Sequence, residues 1–243
     1  MNAFPLLILV PLAACSVGAD TSGPGVAGSG SGTARTYAMS DFSALSLRGS
    51  DDVDVRVGTG FSVRAEGPSK ELDKLKIERV GDTLRIGRKN RSWFNWSDGS
   101  NENVTVYVTM PRIVGTTIAG SGNMTVDRVE GQRFTIDAAG SGNLTVAMLA
   151  VREAKVSMAG SGDIALKGSA DRLTVDIAGS GDVDAAGVKA TGAAVNVLGS
   201  GSVRAEVNGQ ASVSMMGSGD VDLGKGATCS ISKMGSGEVK CGN

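Results

Sequence analysis

The 243 residues carry 24 Lys and Arg against 25 Asp and Glu, a net charge of −1 that offers no general attraction to nucleic acid or anionic lipid. His is absent, which excludes nucleophilic Ser-His chemistry in its usual form. Gly, at 36 residues, stands at about twice average usage.

Residues 1–15, MNAFPLLILVPLAAC, form an apolar run ending in small residues. The run is too short for a membrane span and suits a signal-peptide core. Its ending, Leu12-Ala13-Ala14-Cys15, looks like a bacterial lipobox. That resemblance implies removal of residues 1–14 and a lipid on Cys15, giving a membrane partner through the lipid anchor. Ser16 stands where an Asp would signal inner-membrane retention, so the expected location is the outer membrane. Residues 15–35 are rich in Gly, Ser and Ala without an apolar period, and read as a flexible tether.

The domain is expected over residues 36–243, with diverged coils over 36–115 and regular repeats over 116–243. Phe42 to Leu47 alternates, Gly49-Ser50-Asp51 stands as a corner, and Asp52 to Val57 alternates again. This predicts a diverged coil. Strands follow at Phe61–Ala65, near Lys76–Arg79 and near Thr83–Gly87, with a helical turn over Ser69–Leu75. Arg88–Asn103 is a polar loop with an aromatic tip, Trp93, Phe94 and Trp96. Val104–Met110 is a strand closed by Pro111.

From there Gly-Ser-Gly recurs at Gly120, Gly140, Gly160, Gly179, Gly199, Gly217 and Gly235, in steps of 18 to 20 residues. A period of this size marks a repeat architecture. Two places after each corner stand Met124, Leu144, Ile164, Val183, Val203, Val221 and Val239. Two places further stand Val126, Val146, Leu166, Ala185, Ala205, Leu223 and Cys241, with mostly polar residues between. Before the corner, Thr116, Ile136, Val156, Val175, Val195, Val213 and Ile231 form one apolar row. Ile118, Ala138, Met158, Ile177, Val197 and Met215 form a second, broken by Lys233. Period-2 alternation of this kind is a strand with one buried face. Neither strand buries its apolar face alone, so the repeats predict an all-β solenoid, one coil per repeat. With coils about 4.8 Å apart, the corners span roughly 30 Å.

Three stretches in this order carry a resemblance: DFSALSLRGSDDVDVRVG, ELDKLKIERVGDTLRIGRK and NVTVYVTMPRIVGTTIAGSGNMTV, followed by serial GSGD corners. They resemble the auto-transporter adhesin "head GIN" domain of bacterial surface proteins, from about Tyr37 to the C-terminus. The resemblance implies a right-handed parallel β-helix exported to the bacterial envelope, and supplies no catalytic residue or cofactor.

The residue after each corner is Asn123, Asn143, Asp163, Asp182, Ser202, Asp220 or Glu238. Stacked coils turn these into an outward ladder of oxygens. Asp and Asn of this kind stabilise tight turns by accepting from nearby backbone N–H groups. The other reading is a weak Ca²⁺ site at Asp163 and Asp182, since that ion takes six to eight oxygens. The aromatic tip reads either as a partner-binding platform for an envelope protein or glycan, or as a cover over an open solenoid end. Cys229 and Cys241 occupy inward positions of the last coil, a pattern that favours a disulfide in an oxidising compartment.

The expectation is a non-enzymatic envelope lipoprotein without cofactor or nucleic-acid partner, displaying a β-solenoid for adhesion. The alternative is a polysaccharide-active enzyme of the pectate-lyase type, or a Ca²⁺-dependent carbohydrate binder.

Overall fold

The computed structural model describes residues 25–89 and 103–242. In chain order the elements begin with β1 (Ala34–Tyr37), β2 (Ala44–Gly49), β3 (Asp52–Val57), β4 (Ser62–Glu66), α1 (Ser69–Lys74), β5 (Leu75–Val80) and β6 (Thr83–Arg88). They continue as β7 (Thr105–Met110), β8 (Gly115–Gly120), β9 (Met124–Val126), β10 (Val129–Gly140), β11 (Leu144–Gly160) and β12 (Ile164–Gly179). The last are β13 (Val183–Gly199), β14 (Val203–Gly217), β15 (Val221–Asp222), β16 (Ala227–Met234) and β17 (Val239–Lys240).

From β8 onward the chain is a parallel β-solenoid in the register that the repeats dictate. Gly120 pairs with Gly140, Gly140 with Gly160, Gly160 with Gly179, and so on to Gly217. Ile164, Val183, Val203 and Val221 are direct ladder neighbours, and all are buried. All four rows are interior as far as the penultimate coil, while their intervening residues face outward or lie half-buried. The diverged coil joins the same stack, with Gly49 opposite Gly120 and Val53 opposite Met124.

The corner explains why glycine recurs. The carbonyl of Gly120 accepts both Ser141 N–H and Gly142 N–H, at 2.9 and 3.0 Å. Gly140 above it has φ +116°, and a Cβ there would lie 2.4 Å from that same carbonyl oxygen. Both the left-handed backbone and the close approach therefore require a residue without a side chain.

The two ends of the solenoid differ. At the N-terminal end β6 pairs in parallel with β2, and β7 with β3, so these two strands form a layer beneath the diverged coil. The chain places its third and fourth solenoid strands below its first two, then returns above them through β8. Parallel stacking then stops: β5 pairs antiparallel with β6, β4 with β7, and β1 with β4. These strands and α1 close the end, which keeps an open edge from pairing with another chain. Residues 25–35, expected within the tether, contribute to this closure. Val26 N–H donates to Ile77 O at 2.8 Å, Ser29 bridges Thr36, and β1 starts at Ala34.

A buried ion network locks the cap. Asp51 takes the place that the second corner glycine holds in later coils, and its side chain is buried. Arg88 clamps it with two bonds, Nε to Oδ2 at 2.9 Å and Nη2 to Oδ1 at 2.5 Å, and Val104 N–H donates to Oδ1 at 3.2 Å. The Arg88 Nη1 also reaches buried Glu71, whose other oxygen accepts from Lys74 Nζ at 2.5 Å. The Lys74 bond first, and Arg88 after it, hold the Glu71 carboxyl below its ordinary value of 4.5 against the opposing effect of burial. Arg88→Ala is expected to lower stability by about 3 kcal/mol, because it strands two buried carboxylates. The Glu71 contribution is complete above pH 4.5 and is lost as pH falls through its depressed folded value. Urea unfolding of Arg88→Ala should therefore show a smaller acid-induced loss than the parent. An unchanged midpoint, or a steeper acid loss, contradicts this reading of the cap.

At the C-terminal end, among the described residues, β16 pairs only with β14, and β17 only with β15. Ile231 and Lys233 continue the two inward rows by register, yet both are exposed. Nothing stacks beyond them among the described residues. Ile231 is 48% exposed for that reason, and Lys233 turns its Nζ to Gly237 O at 2.7 Å. Cys229 and Cys241 are bonded across this coil with Cα atoms 6.2 Å apart.

Candidate functional surface

Two outward ladders flank the corners. The first holds the residue after each corner, and one oxygen of several members is occupied in a repeating way. Asn143 Oδ1 accepts from Asp163 N–H at 2.8 Å, and Asp163 Oδ1 accepts from Asp182 N–H at 3.4 Å. Asp182 Oδ1 accepts from Ser202 N–H at 2.8 Å, and Asp220 Oδ1 from Glu238 N–H at 2.8 Å. Asn123 carries the pattern down to the diverged coil, its N–H and Nδ2 both donating to Asp52 Oδ1 at 3.0 Å. Asn143, Asp163, Asp182 and Asp220 thus each satisfy a backbone donor one coil away, where the sequence suggested a donor in the same turn. The carboxylates tie coil to coil. Among the described residues, no group of three or more His, Cys, Asp or Glu side chains is gathered as a metal site requires.

The next outward row on that strand changes sign along the stack. Asp184, Arg204, Asp222 and Lys240 are successive ladder partners. Opposite charges directly across a strand pair favour this register over its neighbours.

The second ladder is the residue just before each corner, a row that the sequence reading did not single out. It begins with Ala119, Ala139, Ala159 and Ala178, and continues with Leu198, Met216 and Met234. The three large members are 56, 55 and 68% exposed, which makes an apolar ridge over the C-terminal half of the face. Over the alanine half the same face is concave. A groove of about 420 Å³ runs along the stack there, bordered by Asp137, Ser157 and Asp176 on its polar side and stopped by Leu198. Asn196 Nδ2 donates to Asp176 Oδ1 at 2.7 Å along that border. The sequence signal was present: seven equivalent positions, all apolar, on an outward phase of the alternation.

Cys15 and the aromatic tip of Trp93, Phe94 and Trp96 lie outside the described residues. The described residues on either side of the tip segment belong to the capped end: Lys89 N–H donates to Lys74 O at 2.8 Å, and Val104 contacts Asp51. The described strands that precede and follow that segment in the chain are β6 and β7, which pair with β2 and β3. No helix among the described residues is long and apolar enough to cross a membrane.

Comparison with known proteins agrees with this architecture. The chain is similar to the crystal structure of a "putative adhesin" from Bacteroides fragilis, with a TM-score of 0.75 at 19% identity, covering 85% of this chain and 95% of that one. A "putative lipid binding protein" from Parabacteroides distasonis gives 0.67 at 23% identity, over 88% and 97% of the two chains. A "putative adhesin" from Parabacteroides merdae gives 0.66 at 17% identity, over 86% and 95%. At these identities the likeness shows the fold. No curated protein matches the sequence significantly. A family model does match, over residues 41–227, from the strand before the diverged corner to the start of the last coil. The chain therefore belongs to the family described as "Putative auto-transporter adhesin, head GIN domain".

Proposed function

We propose that this protein is a non-enzymatic module of the bacterial cell envelope, tethered through a lipid on Cys15, that presents the faces of its solenoid to a protein or glycan partner. The observation that carries the reading is the corner ladder. Asp163, Asp182 and Asp220 each give an oxygen to a backbone N–H of the next coil, so the densest row of carboxylates holds the scaffold together. Catalysis by paired carboxylates needs oxygens aimed at a common substrate atom. Membership of an adhesin-type family agrees with a binding role.

The tether joins the molecule at its cap, through Val26 and β1. The capped end is thus the anchored end in this proposal. The aromatic segment containing Trp93, Phe94 and Trp96 is the proposed contact point, since aromatic side chains combine large apolar area with polar edges.

The test is fractionation of cells expressing the parent and Cys15→Ser, together with incubation of the purified protein with envelope polysaccharide. Stable anchoring depends on the lipid, so Cys15→Ser is expected to move from the membrane to the soluble fraction. Neither protein should release reducing ends. A variant that still sediments fully overturns the tether, and cleavage that disappears in Asp182→Asn overturns the non-enzymatic role.

A further inference from the structure

The ladder before the corners is complementary to itself. Its small members occupy the first half of the stack and its large members the second, with Ala178 at the middle of the seven. The groove lies over the small half, and the ridge of Leu198, Met216 and Met234 lies over the large half. We propose that this face is a docking surface for a second copy of the chain, laid antiparallel, with the ridge of each copy seated in the groove of the other.

A twofold axis in the plane of the face, running along the strands through Ala178, generates the arrangement. Such an interface is isologous: residue i meets j, and j meets i. The axis sets Ala159 against Leu198, Ala139 against Met216 and Ala119 against Met234. Each large side chain then meets an alanine, which is how packed layers interdigitate. A parallel arrangement would instead set ridge on ridge and leave the groove empty. The polar rows beside the ladder oppose one another as well. Asp137 meets Ser214, and Ser157 meets Asn196, pairs that combine an acceptor with a donor. Asp176 meets its own copy at the axis. There Lys155, one coil away on the neighbouring outward row, approaches the Asp176 of the second copy. Asn196 already donates to that carboxylate at 2.7 Å.

The area is sufficient. Seven coils of about 4.8 Å by three outward rows about 7 Å apart give roughly 500 Å² per copy, or about 1,000 Å² in total, the size at which specific interfaces begin. Exposed apolar ridges of this extent on soluble domains mark interaction sites.

Single cysteines in the full chain decide between arrangements. In a Cys15→Ser background, Ala178→Cys places the thiol on the axis, facing its own copy. Ala119→Cys places it about six coils, or roughly 29 Å, from its counterpart. Mild oxidation followed by non-reducing electrophoresis should give a covalent dimer with Ala178→Cys and none with Ala119→Cys. Mixing Ala139→Cys with Met216→Cys should give the mixed dimer, with little of either homodimer. Light scattering of the Cys15→Ser protein should report twice the chain mass. A monomer mass with no cross-linking, or equal cross-linking at positions 119 and 178, overturns the proposal. Three of the four cysteines replace alanines and the fourth replaces Met216, all on the outer face, and circular dichroism at matched temperature verifies that each variant is folded.

Discussion

Gly160→Ala is expected to lower stability by about 4 kcal/mol, whereas Ser161→Ala, one residue along the same corner, should stay within about 0.5 kcal/mol of the parent. Gly160 has φ +146°, and a Cβ built on it lies 2.0 Å from the carbonyl oxygen of Gly140 and 2.9 Å from that residue's carbon and nitrogen. No rotamer relieves this contact, because the obstacle is backbone. The same carbonyl accepts Ser161 N–H at 2.8 Å, so any shift that relieves the clash also stretches the bond between coils. Left-handed backbone adds about 1–2 kcal/mol for a residue with a side chain. Ser161 points to water and leaves its N–H in the corner when replaced. In a domain of this length, about 4 kcal/mol corresponds to a melting temperature lower by about 10 °C. Thermal unfolding of the two variants beside the parent checks it. Equal melting temperatures would mean that the coils do not stack at their corners.

The regular part of the fold was legible because each coil repeats the same local problem. Ile164, Val183 and Val203 stand in equivalent places in the sequence and are ladder partners in the structure. The diverged coil was legible for the same reason, through Gly49 and the alternation on either side of it. The N-terminal layers were not. The strands β6 and β7 were visible as strands, but their position beneath β2 and β3 follows from long-range parallel pairing, which leaves no periodic trace within either segment. Residues 25–33 carry a linker's composition, and their docking shows only in backbone bonds to distant strands and turns, from Val26 to Ile77 and from Gly67 to Thr33.

The surface was legible in part. The ladder after the corners was visible as a row of Asn and Asp, but not the direction of its bonds, because the partner of each oxygen lies about twenty residues away in the next coil. Asp51 was read as part of a corner. Its burial depends on Arg88, which reaches it from a layer whose position the sequence concealed. The final row shows the reverse case. Ile231 has the right phase for the core, but burial requires a coil above it as well as a strand of the right phase.

The direct test of the account is the pair Val183→Asp and Asp184→Val, measured by thermal unfolding at pH 7. Val183 is buried between Ile164 and Val203 in the inward row, while Asp184 faces water between Ala165 and Arg204. A carboxylate at position 183 is either unpaired in the core or forced to bind a proton, at a cost of about 4 kcal/mol in addition to the lost apolar packing. The valine at position 184 replaces one outward side chain by another and should shift stability by less than about 1 kcal/mol. Shifting a strand by one residue exchanges its faces, so the two effects report the register directly. The account predicts a melting temperature lowered by about 10 °C or more for Val183→Asp and nearly the parent value for Asp184→Val. Similar losses in both variants, or the larger loss in Asp184→Val, would contradict the stacked ladders and every surface assigned from them.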